Sequence, residues 1–224
     1  MSARKDAGDG RAHAMWAGVV APVLFVSTFV IEGRLRVGYD SCAMYISALS
    51  LGPRGWVQIL NFVVFGLLLL TFARGVATGT PSRVGPALLK IIALGNLLLG
   101  PFVMYPVGAS RDLTSIHGTV HHFVARIVLV LMPVSCFAFV PRFHQEPKWQ
   151  SLEWCTLAAG TTVAIAVAIL AIATMVASAQ NTFAPWLGLI QRVAVVPYMA
   201  WLFIFALTMR RTTATSEELP LRRK

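Results

Sequence analysis

The sequence predicts an all-α polytopic membrane protein: a six-transmembrane-helix bundle with a short re-entrant or interfacial helix in its first outer connection. Three observations carry this prediction. Of 224 residues, 57% are hydrophobic and 12% charged, and the mean hydropathy is +0.70, far from the balance of a soluble domain. Six apolar runs recur, at residues 14–31, 56–72, 87–104, 119–140, 154–179 and 188–209, each long enough to cross about 30 Å of hydrocarbon at about 1.5 Å per residue. Lys and Arg crowd to one side of those runs.

Thirteen of the nineteen basic residues lie in the two tails and the second and fourth connections: Arg4, Lys5, Arg11, Arg74, Arg83, Lys90, Arg142, Lys148, Arg210, Arg211, Arg222, Arg223 and Lys224. Arg34, Arg36, Arg54 and Arg111 lie on the other side, and Arg126 and Arg192 fall within spans. The positive-inside rule then puts both termini in the cytoplasm and connections one, three and five outside an inner (plasma) membrane. The chain divides into a tail at 1–13, a six-helix domain at 14–209 and a basic tail at 210–224. No repeat of 20–50 residues is present. The net charge of +10 is read as topology and as attraction to membrane lipids; no basic stripe interleaves with aromatics, so nucleic acid is not an expected partner.

Taken in order, residues 1–31 resemble a signal peptide, but Glu32-Gly33-Arg34 stands where a small-residue cleavage site belongs, so this is an uncleaved first helix. In the first connection Asp40 or Ser41 can cap a short helix through Leu49, ended by Gly52-Pro53, which would carry Asp40 inward over the bundle mouth. Helix three contains Asn96, expected to hydrogen-bond across helices, and Pro101, which with Pro197 in helix six is expected to kink its helix. The stretch from Tyr105 to Met132 holds three of the five histidines and drives Arg126 into an apolar run. Trp16, Trp56, Trp154, Trp186 and Trp201 are placed as an interfacial belt.

At Tyr39-Asp40, Ile46-Ser47-x-Leu49, Gly52-Pro53-x-Gly55-Trp56, Tyr105-Pro106, His117-Gly118-x-x-His121 and Gly188-x-x-x-Arg192, the chain resembles the bacterial and archaeal membrane family catalogued as domain of unknown function 998, over about residues 17–209. The resemblance implies a six-helix bundle with a polar cluster at one mouth, to which Asp40, Ser47, His117, His121 and Arg192 belong. The family pattern often has an acidic residue at the positions of Ala48, Gly108 and Gln191. Its loss here weighs against a metal site built on those carboxylates.

The chemistry expected of the mouth follows from its residue types. His117 and His121, four apart, share one face of a helix. With Asp40 and Asp112 they offer imidazole and carboxylate to a divalent cation; in the plainer alternative they hydrogen-bond water and backbone, and no metal is expected. Haem would need histidines on two facing helices, and His13 and His144 fall at the other end, so no cofactor is expected. Cys42, Cys136 and Cys155 have neither ligand nor disulfide spacing. A buried arginine needs a partner, and Asp40 is the expected one for Arg126 or Arg192, either locking the lid or poised for proton transfer. No nucleophile elbow, Walker loop or dinucleotide fingerprint occurs.

Two functions of different class result. One is a small membrane enzyme doing acid–base chemistry on a lipid-soluble substrate, with isoprenoid (terpene) cyclisation or isomerisation suiting the parts: Asp40 as acid, His121 or His117 as base, and Tyr39, Tyr45, Ser47, Tyr105, Arg126, Gln191 and Arg192 around the lipid or isoprenoid. The other is a non-catalytic protein that binds or senses a lipid, or carries a solute, through the same cluster. Neither reading sets an oligomeric state.

Overall fold

The computed structural model describes residues 2–80, 82–105, 115–180 and 183–218, the side chains of 2–9, 177–180 and 213–218 excepted. Six helices run through them: α1 (Ser2–Leu35), α2 (Gly55–Gly79), α3 (Val84–Leu99), α4 (Ile116–Gln145), α5 (Glu153–Gln180) and α6 (Leu187–Glu218), with 3-10 turns at Ile46–Ser50, Pro147–Leu152 and Ala184–Trp186 between them. Each helix packs on its neighbours in sequence, and α1 closes on α6, so the bundle is a ring. Five helices are long and apolar enough to cross a membrane, and α3 is apolar with only 16 residues. The chain is a polytopic membrane protein.

Several boundaries differ from the sequence reading. Helix α1 begins at Ser2 and α6 continues to Glu218, so both expected tails are largely helical. Helix α3 stops at Leu99 instead of near residue 104, because Pro101 supplies no N–H to continue the ladder. Pro101 therefore terminates its helix, whereas Pro22, Pro133, Pro141 and Pro197 lie inside theirs.

Because the helices are apolar on every side, polarity cannot choose which face packs inward; size does. Gly18 opposes the Phe72 ring, Gly75 opposes Ala14 and Gly95 opposes Val128, each too close to admit a Cβ. Aromatic rings fill the interior left between helices. Phe205 lies with ring centroids 5.4 Å from Phe72, 4.9 Å from Phe139, 5.3 Å from Phe143 and 5.5 Å from Trp201. Trp201 is thus a core residue, 1% exposed, whose indole N–H donates to Thr156, and it leaves the expected belt to the exposed Trp16, Trp56, Trp154 and Trp186. Asn96 is also corrected: its amide donates to Ile92 of its own helix. Bonds across helices come, besides Trp201 with Thr156, from Asn61, which donates to the Phe25 carbonyl, and from Ser135 with Tyr198.

Candidate functional site

One end of the ring is roofed by the first connection. Past α1 the chain turns at Gly38, where φ is 76°, and the Asp40 carboxylate accepts from the Cys42 and Ala43 N–H groups, forming an Asx-type turn. The 3-10 turn at Ile46–Ser50 follows with every residue buried. Two arginines tie its flanks: Arg36 donates to the Ala48 carbonyl at 2.5 Å, and Arg54 grips Glu32 in α1 through two hydrogen bonds of 3.0 and 2.6 Å. Glu32 is 7% exposed, so this bidentate pair anchors the exit of the lid to the helix before it.

Helix α6 latches the lid from the other side. A Cβ on Gly188 would collide with the carbonyls of Met44 and Ser41, so only glycine lets the lid backbone rest there. One turn on, Arg192 donates to the carbonyls of Ser41 (2.7 Å), Met44 (3.0 Å) and Gly188 (2.9 Å), and to the Tyr39 hydroxyl (2.6 Å). Tyr39 in turn donates to the Tyr45 carbonyl. Burial raises the Tyr39 hydroxyl above its ordinary pKa, against the lowering pull of Arg192, and burial likewise raises Tyr45. Gln191 accepts from the Ile46 N–H at 2.8 Å, and the Leu189 N–H donates to the Cys42 carbonyl.

The histidines serve a neighbouring break. Where α3 ends, free carbonyls remain, and exposed backbone polar groups are costly at membrane depth. His121 meets the Phe102 carbonyl through Nδ1 at 2.5 Å, and His117 approaches the Pro101 carbonyl at 3.4 Å. The two do share a face, and that face caps α3. With the Nδ1 proton assigned to the carbonyl, His121 Nε2 is buried with no hydrogen-bond partner among the described residues. His122 stands beside it, its ring 4.5 Å from Tyr105.

Beneath the lid is a partly open cavity of about 40 Å³, lined by Ser47, Gln191, Asn96 and apolar side chains that include Phe25, Phe62 and Met199. A second space of about 380 Å³ opens between α1 and α6, lined by Pro22, Val23, Val26, Ser27, Val196, Met199, Ala200, Phe203 and Ile204. Met199 lines both.

The family model described as "Protein of unknown function (DUF998)" matches residues 19–208. The chain belongs to this family. No curated protein and no solved structure matches it. The matched DUF998 region contains the whole lid, the Glu32 and Arg192 that hold it, and the histidine cap. In this DUF998 chain the residues picked out by their order in sequence thus have structural partners: Gly188 and Arg192 hold the lid, His117 and His121 cap α3, and Ser47 faces the cavity.

Two site expectations are corrected. Asp40 is exposed and its carboxylate is occupied by its own turn; among the described residues it pairs with neither Arg126 nor Arg192. Arg126 is exposed on α4 and not buried, since its helical position points it out of the ring, where a long side chain can reach toward the interface; its charge is felt by Tyr45 and His122. The ion pair that does anchor the lid, Glu32 with Arg54, was missed, its members being twenty-two residues apart. Among the described residues no three His, Cys, Asp or Glu gather as a metal site, and Asp112 and Gly108 lie outside the described residues.

Two outcomes are expected. Arg192→Lys, which keeps the charge but loses the planar fork, should speed amide hydrogen exchange over residues 41–50, while Asp40→Asn, still able to accept from Cys42 and Ala43, should leave it nearly unchanged; the opposite ranking would refute the latch. His121→Leu strands the half-buried Phe102 carbonyl and should cost about 1–3 kcal/mol of stability, measured by denaturation in detergent. His117→Leu, at the exposed 3.4 Å contact, should cost far less, and equal costs would contradict the capping role.

Proposed function

We propose that this protein binds the apolar chain of a membrane lipid in the groove between α1 and α6. One observation carries the reading: a groove of about 380 Å³, apolar but for Ser27, lies between two membrane-crossing helices and shares the Met199 wall with a smaller cavity that Ser47, Asn96 and Gln191 help to line. That volume falls in the range of small-molecule sites, about 300–1,000 Å³; the central cavity does not. The site is lidded and non-catalytic in this reading, with Gln191 and Ser47 at its closed end. We infer also that the lid end faces outward from the inner (plasma) membrane with both termini cytoplasmic, on the Lys and Arg asymmetry.

A second reading keeps the enzyme, acting by acid–base chemistry on an isoprenoid. It is favoured by His121, 1% exposed with an unpartnered Nε2 and a ring 6.2 Å from the cavity-lining Phe62. In that version His121, and not Asp40, handles the proton.

Native mass spectrometry of the protein released from membranes in mild detergent tests the first reading. Wild type should retain a lipid that Ala200→Trp, which fills the groove, loses by at least about tenfold. Equal retention by both forms, or a dimer of chains that Ala200→Trp disrupts, would overturn it. A new lipid product made only by cells expressing wild type and absent with His121→Gln would favour the enzyme. For orientation, Cys42, which is exposed, should react with a membrane-impermeant thiol reagent applied to intact cells; labelling only after lysis would reverse the topology.

A further inference from the structure

We propose that the ligand is a single-chain lipid whose polar end is uncharged, a hydroxyl or carbonyl, and that this end seats in the central cavity behind Met199. The inference rests on the groove reading above and adds to it the chemistry of the head. Three polar side chains reach the cavity from three different elements: Ser47 from the lid, Asn96 from α3 and Gln191 from α6. Each has hydrogen-bonding capacity left over. Gln191 spends its oxygen on Ile46 and Asn96 spends its amide nitrogen on Ile92. Gln191 Nε2, Asn96 Oδ1 and the Ser47 hydroxyl have no partner among the described residues. An amide N–H, an amide oxygen and a hydroxyl together offer both a donor and an acceptor, which is what an alcohol or carbonyl terminus requires.

Charge and size both restrict the head. Among the described residues no Asp, Glu, Lys, Arg or His lines the cavity, so a carboxylate or phosphate there would be a buried charge without a counter-charge, which costs far more than burying a satisfied neutral group. A volume of about 40 Å³ holds roughly three water-sized atoms at about 10–15 Å³ each, which excludes sugars and large head groups. Met199 is 2% exposed and lines both spaces. An unbranched thioether side chain can change rotamer without moving the backbone, so it is the part of the wall able to yield as the polar end passes.

The test compares three probes with the same eighteen-carbon chain, oleyl alcohol, oleate and octadecene, binding to the full chain in phosphatidylcholine nanodiscs. Oleyl alcohol should bind about tenfold tighter than octadecene, the value of one to two well-made hydrogen bonds. Ser47→Ala, which leaves the lid backbone and the Ser50 bond to the Ser47 carbonyl in place, should remove most of that advantage. Alcohol and octadecene binding alike, or oleate binding best, would overturn the inference, while loss of all three with Ala200→Trp would leave the groove reading standing. Failure of every probe to bind, unaffected by Ala200→Trp, would overturn both.

Discussion

The arrangement at the mouth depends on one side chain laid across one missing side chain. Arg192 delivers its guanidinium into the carbonyls of Ser41, Met44 and Gly188 and to the Tyr39 hydroxyl, and it can do so because Gly188 lets the lid lie directly on α6. A lysine in its place would be a point charge with no fixed fork. The arginine is compensated by backbone dipoles and faces the Phe29 and Tyr39 rings at 5.8 and 5.7 Å, an arrangement that leaves its charge intact while satisfying its donors. Glu32 and Arg54 hold the far side of the same connection, so the lid is fixed to α1 and to α6 at once.

The consequence is a small, mostly apolar cavity with three polar side chains in its wall. The Ile46–Ser50 turn is buried only because both ends of the connection are tied down, and burial brings Ser47 to the cavity. The same constraint explains the histidines. A short α3 leaves carbonyls at a depth where lipid cannot satisfy them, and α4 supplies His121 and His117 to meet them. Polar residues here complete interrupted backbone first, and whatever capacity remains faces the cavity.

Much of the fold was legible because periodicity and length are local. Six apolar runs and the shared face of His117 and His121 could be read from neighbours in sequence; the helix that Asp40 was expected to cap is instead a turn at Asp40 followed by a 3-10 turn at Ile46–Ser50 with no side-chain cap. Where the reading failed, the deciding contact was distant or the local chemistry was underrated. Asp40 was assigned both a helix cap and a buried arginine's partner, and one carboxylate does not fill both roles; the turn, two residues away, took it. Arg126 looked buried because its sequence neighbours are apolar, although in a ring of helices an apolar neighbourhood describes the lipid face as well as the core. Asn61 reaches Phe25 on another helix, and the α1–α6 groove exists only because the ring closes, so no window of sequence carries a signal for either.

The most direct test of the account is an experimental structure of the protein in native membrane lipid. The account predicts continuous chain-like density between α1 and α6, alongside Pro22 and Phe203, whose inner end passes Met199 to reach Ser47 and Gln191. A groove closed by a second copy of the chain, with the lid intact and the cavity empty of any ligand terminus, would contradict it.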